Sequence, residues 1–138
     1  TLAALDPGWS LMFVPRETLG LVGTKNGCNR GEGGTCSVIL NGRAVYSCVV
    51  LACEAEGATI ETIENLSTGI PPFTGIMKGI YDTDALQCGY CAPGFIMASK
   101  ALLDKKPKPT LDEVREALSG HVCTCGNIKL YVDAVLAV

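Results

Sequence analysis

Cys88-x2-Cys91 and Cys123-x-Cys125 constrain this 138-residue chain more than any other feature. The two tight thiolate pairs are separated by about one helical hairpin, and four such ligands can hold a metal centre if the fold brings them together. A zinc site usually spaces each ligand pair by two to four residues, so that both sulfurs reach one tetrahedral ion. The single residue between Cys123 and Cys125 suits that poorly, and suits a larger iron–sulfur cluster with two iron corners better.

Composition narrows the alternatives. With 48% hydrophobic and 18% charged residues the chain can bury a core, in one domain or in two small ones sharing an interface. A net charge of −3 with no basic stripe argues against nucleic acid as partner. The one cationic run, Lys105-Lys106-Pro107-Lys108-Pro109, is broken by prolines and reads as a solvated loop. No apolar stretch approaches the ~20 residues that span a bilayer. Eight cysteines also raise the possibility of four disulfides, but a share of roughly 6% falls below that of disulfide scaffolds. The residues ahead of them carry no signal-peptide pattern. A thiolate site in the reducing cytoplasm is the expectation.

The first half reads as strand and turn. Asn41-Gly42 between Ser37–Leu40 and Arg43–Tyr46 predicts a two-residue hairpin, because this pair supplies the two positive φ values of a type I′ turn. That register sets Leu40 opposite Arg43, Cys36 opposite Ser47 and Thr35 opposite Cys48, making Cys36 and Cys48 neighbours in space. Ala58–Ile63 reads as a further strand. The glycine-rich stretch from Asn26 to Thr35 reads as a loop wrapped round an anionic group, since no Lys-Ser/Thr pair follows to make it a phosphate loop.

Ser67 to Pro72 has a linker's composition, and beyond it the period becomes helical. A short helix is expected near Ile76–Tyr81. Pro93 suits the first turn of the next, with Phe95, Ala98 and Leu102 on one face and Pro107 and Pro109 ending it. Thr110 and Glu113 form a capping box opening a helix with Leu111, Val114 and Leu118 on one stripe, closed by Ser119-Gly120. A last helix runs from Asn127 to Val138, with Tyr131, Val135 and Val138 on one face. Both cysteine pairs then precede helix N-termini, where the dipole and free N–H groups favour thiolates.

The stretches Leu19–Cys28, Cys36-Ser37-Val38, Ser47-Cys48 and Gln87-Cys88-Gly89-Tyr90-Cys91-Ala92-Pro93-Gly94, with the later Cys-x-Cys, resemble the iron–sulfur subunit of molybdenum hydroxylases, the xanthine oxidase/aldehyde oxidoreductase family. The resemblance runs from about Pro7 to the C-terminus. It implies an α+β chain: a plant-ferredoxin-like β-grasp domain over residues 1–66, a linker at 67–72 and a four-helix-bundle domain over 73–138, each domain carrying one [2Fe–2S] cluster. It implies Cys28, Cys36 and Cys48 as ligands of the first cluster, and Cys88, Cys91, Cys123 and Cys125 as ligands of the second. Gln87 corresponds to a glutamine that hydrogen-bonds the pterin of a large molybdopterin-binding subunit, and Cys125 to a ligand whose sulfur faces the pterin amino group. Electrons would pass onward, commonly to FAD in a third subunit. The chain itself would hold no catalytic residue.

The match breaks at Gly33. The plant-type spacing is Cys-x4-Cys-x2-Cys with a distant fourth cysteine, and its middle ligand falls on a residue with no side chain. The first cluster uses another ligand, or is absent, or the assignment fails at this point. Cys53 restores the count, but its surroundings, Val49-Val50-Leu51-Ala52, read as core, so it is expected to be a small buried thiol outside the ligand set. His121, the single histidine, is expected to structure a loop. Pro15 is expected to start a helical turn rather than interrupt one. Three other readings compete: a zinc-stabilised interaction module, a free-standing ferredoxin-like carrier, and a dithiol redox protein using Cys88-Gly-Tyr-Cys91.

Overall fold

A computed structural model describes residues 6–66 and 75–138; the expected linker at 67–72 lies outside the described residues. The described residues form a small α+β structure with a short three-stranded antiparallel sheet, its first strand central, and four helices. Strands β1 (Ser37–Leu40) and β2 (Arg43–Tyr46) pair in the predicted register, Leu40 with Arg43 and Ser37 with Tyr46. Asn41 and Gly42 adopt φ of 49° and 76°, the two positive values that let a two-residue loop follow the twist of its strands. The ladder ends at Tyr46, and Ser47–Val49 turns away as a 3-10 turn. Strand β3 is shorter than predicted, only Ile60–Glu61. Its extension is cut because Thr59 N–H goes to the Asn41 side chain and Ile63–Leu66 coils into another 3-10 turn.

Ahead of the sheet, Val14–Thr18 forms a π-helical turn with Pro15 at its start. Here the missing proline N–H costs nothing, because first-turn donors have no intrahelical partner.

Helices α1 (Gly75–Asp82), α2 (Ala92–Lys105), α3 (Leu111–Leu118) and α4 (Ile128–Leu136) pack around Phe95, Val114, Leu118, Tyr131 and Val135. Phe95 and Tyr131 stack with ring centroids 4.2 Å apart. The capping box at Thr110 is formed, Glu113 N–H reaching Thr110 Oγ1 and Thr110 N–H reaching the Glu113 carboxylate. Two stripes are narrower than expected: Leu111 and Val138 are exposed, each lying at a helix end beyond the packed core. α2 is buried on more than one face, from Ala92 to Ser99. Its Phe95 side meets the other helices, while Met97 and Ala101 meet Ile39 of β1. It is therefore the rod joining sheet to helices, which a single amphipathic stripe could not have foretold. No helix among the described residues is long and apolar enough to cross a membrane.

Candidate metal centres

All eight cysteines are free thiols. At the second site Cys91 is the residue before α2, where Pro93 sits in the first turn, and Cys123 and Cys125 lie in the turn leading to α4. Gly89 and Gly126 take φ of 75° and 86°, the left-handed values that fold each short ligand loop back on itself. Cys125 is near enough to Cys88 to shift its titration, and Cys123 near enough to Cys91. Among the described residues no three or more His, Cys, Asp or Glu side chains gather as they would around a single ion.

The two members of the inner pair differ. Burial pushes the Cys91 thiol up to about 11, although the Tyr131 hydroxyl, 3.6 Å from its sulfur, works the other way. Burial also raises Cys123, but the Asn127 N–H, the Cys91 thiol and the N–H groups of Cys125 and Gly126 outweigh it and bring it below the ordinary value. Cys88 is lowered, first by the Tyr90 N–H and then by Cys125. Loop N–H groups aimed at sulfur thus favour the thiolate that a metal needs. Gln87 is exposed, its amide donating to Asn127 Oδ1 at 3.0 Å, while Asn127 Nδ2 donates to the Ala85 carbonyl.

At the first site the hairpin brings Cys36 and Cys48 together as predicted. Both are buried with Met12 and against Tyr46. Burial raises Cys36 to about 11, with the Cys48 N–H working against it and the Cys48 thiol with it. Cys28 approaches from the glycine-rich loop: like Cys36 and Cys48, it lies close enough to Tyr46 to raise its phenol, a shift that burial leads. Its sulfur accepts Glu32 N–H at 3.3 Å, and the N–H groups of Arg30, Glu32, Gly33 and Gly31 bring the thiol down to about 7. These are the loop donors that the glycine-rich sequence leads one to expect.

Gly33 stands beside Cys28: a Cβ built there would lie 3.7 Å from Cys28 Sγ. Cys53 is exposed, not buried as expected. It lies in the 3-10 turn Ala52–Ala55, where the two alanines face the core and the cysteine between them faces out, its thiol 3.8 Å from the Pro7 carbonyl.

Several residues that hold the sites together left no local signal in the sequence. Thr35 Oγ1 donates to the Tyr90 carbonyl at 2.7 Å, tying the residue beside Cys36 to the residue beside Cys91. Tyr90 O–H donates to the Asn26 carbonyl at 2.7 Å. His121 is buried between Phe95 and Tyr46, with Nε2 2.9 Å from Ser37 Oγ; Ser37 Oγ in turn donates to the Gly34 carbonyl. Only one hydroxyl proton is available, so the ring donates from Nε2 and stays neutral; burial lowers its pKa to about 4. Tyr46 O–H donates to Gly120 O and Val122 N–H to Gly33 O. Loop structuring, the role expected of His121, is what this geometry provides.

Residues 62–136 match the family described as the [2Fe-2S] binding domain. The chain is 42% identical over 134 residues to the nicotinate dehydrogenase small FeS subunit of Eubacterium barkeri, covering 96% of this chain and 85% of that protein. It is 40% identical over 132 residues to the xanthine dehydrogenase iron-sulfur-binding subunit of Escherichia coli O157:H7, covering 94% and 82%. The chain belongs to the iron–sulfur subunit family of the molybdenum hydroxylases. The crystal structure of quinoline 2-oxidoreductase from Pseudomonas putida 86 has a chain that superposes with a TM-score of 0.89 at 38% identity, over 96% of this chain and 81% of that one. Membership makes this chain an oxidoreductase subunit that binds an iron–sulfur group, and it favours neither the zinc-module nor the free-carrier reading.

Proposed function

We propose that this subunit carries electrons from a molybdopterin centre in a large partner subunit, through two [2Fe–2S] clusters, to FAD in another subunit or to a different acceptor. The match of residues 62–136, which hold Cys88, Cys91, Cys123 and Cys125, to the [2Fe-2S] binding domain is the observation that carries this reading, since a two-iron cluster takes two thiolates at each iron. The fit extends to the surroundings: loop N–H groups point at Cys28, Cys88 and Cys123, and the Tyr131 hydroxyl reaches Cys91. When bound, such a cluster takes up and releases single electrons at a potential tuned by burial and by hydrogen bonds to its sulfurs.

In this reading Cys28, Cys36 and Cys48 hold the first cluster within a β-grasp domain (1–66), and the other four cysteines hold the second within a four-helix bundle (73–138). Gln87 and Cys125 face the pterin of the partner. The exposure of Gln87 supports this, as does the Asn127 contact that orients its amide. The chain supplies no catalytic residue, and the thiolates imply the reducing cytoplasm. The Thr35–Tyr90 bond links the two ligand loops directly, and its role is to hold them at fixed separation.

Affinity purification of the tagged chain from its host tests the proposal. Iron and acid-labile sulfide in equal amounts, together with a larger subunit and molybdenum, are expected. Zinc in place of iron, or a chain that purifies with iron but never with molybdenum, contradicts it.

A further inference from the structure

We infer that Gly33 leaves one coordination position at the Cys28, Cys36 and Cys48 site to be filled from solvent, by water or hydroxide and, when offered, by a small thiolate. This rests on the proposal that these three cysteines carry a [2Fe–2S] cluster. Two irons sharing such a cluster take four protein ligands, and the plant-type spacing puts the missing one at position 33.

The neighbouring side chains do not replace it. Glu32 is closest in sequence, but its carboxylate is held outward by Arg30, Oε2 to Nε 2.7 Å, and both side chains are exposed. Thr35 spends its hydroxyl proton on the Tyr90 carbonyl. His121 is turned to Ser37, its ring so close to Gly34 that a Cβ there would lie 2.5 Å from Cδ2. Cys53 is on an exposed turn beside Pro7.

Space for an outside donor exists where the fourth side chain is missing. A Cβ at Gly33 would meet only Cys28, at 3.7 Å from Sγ and 3.9 Å from its Cβ. The position opens on a cleft of about 150 Å³ lined by Cys28, Gly33, Thr35 and Tyr90 and, across it, by Cys88 and Cys91, which the second cluster claims. With a water occupying about 30 Å³ of liquid, that volume admits several waters or one small thiol. The Glu32 N–H, 3.3 Å from Cys28 Sγ, adds a field that favours an anionic donor. Exchange is a substitution without change of oxidation state: the thiol binds as thiolate, its proton goes to solvent, and the bound water leaves. Gly33 is not among the glycines with positive φ, so its backbone accepts a cysteine without strain.

The test is a titration of the purified holoprotein with 2-mercaptoethanol, followed by visible absorption and by EPR after reduction. In the wild type one cluster should shift saturably while the other, bound by Cys88, Cys91, Cys123 and Cys125, stays fixed as an internal standard. Gly33→Cys should abolish the response and give the thiol-saturated spectrum without added thiol, whereas Glu32→Gln should respond like the wild type. The wild-type titration stands alone if Gly33→Cys fails to fold. A wild-type first cluster that ignores thiol, a response surviving in Gly33→Cys, or one lost in Glu32→Gln overturns the inference. A wild-type protein with only the second cluster also overturns it while leaving the functional reading in place; a protein with neither cluster removes that reading itself.

Discussion

Gly94, in the first turn of α2, presses on the loop that leads into Cys36. A Cβ there would lie 2.3 Å from the Gly34 carbonyl oxygen and 2.8 Å from Thr35 Cα, where ordinary contact begins at 3.4 Å. By intrinsic propensity Gly94→Ala should stabilise a helix by about 1 kcal/mol. The steric term opposes it. Both neighbours are backbone, and the loop is fastened by Ser37 Oγ on Gly34 O and by Val122 N–H on Gly33 O, so it cannot yield as a side-chain tip would. Relief needs a shift of about 1 Å, and overpacking of this kind costs about 1–3 kcal/mol. With backbone on both sides the upper part of that range applies, leaving a net loss of about 1–2 kcal/mol. Denaturant unfolding of the holoprotein reads it as a lower midpoint at unchanged slope. Because Gly34 and Thr35 precede Cys36, the EPR signal of the first cluster should also change while that of the second does not. A midpoint that stays or rises, with both signals unaltered, would refute the close approach of α2 to this loop.

Thr35→Val should cost about 0.5–1.5 kcal/mol by removing the hydrogen bond to Tyr90 O, measured in the same unfolding assay. His121→Ala should cost about 2–4 kcal/mol, because it empties a buried site between Phe95 and Tyr46 and strands Ser37. Lys106 first, and then the Thr110 N–H and hydroxyl, hold the Glu113 carboxyl down to about 2 from its ordinary 4.5. That contribution is complete above pH 4.5 and fades as pH falls toward 2, so Glu113→Gln should flatten this stretch of the stability–pH curve. Cys123→Ser should remove the second cluster and leave the first, halving iron and sulfide per chain.

Features set by near neighbours along the chain are legible in the amino-acid sequence. The Asn41-Gly42 turn determines the β1–β2 register and so the meeting of Cys36 and Cys48. Thr110 with Glu113, and Pro107 with Pro109, bound α3 and α2. The [2Fe-2S] binding domain is legible because Cys-x-Cys is a rare spacing with few uses. Features set by distant packing are not. Cys53 reads as core from its apolar flanks, yet the 3-10 period turns Ala52 and Ala55 inward and leaves it outside. β3 reads as long from its β-branched residues, but β1 pairs with only Ile60 and Glu61. The His121–Ser37 and Thr35–Tyr90 bonds join residues 84 and 55 positions apart, which no local pattern encodes.

Spin-quantified EPR of the dithionite-reduced holoprotein, with iron, acid-labile sulfide and zinc measured on the same sample, tests the central claim most directly. The account predicts two distinguishable [2Fe–2S] signals, iron matched by sulfide, and selective loss of one signal in Cys123→Ser. Zinc without sulfide, or a reduced protein with no such signal, would contradict it.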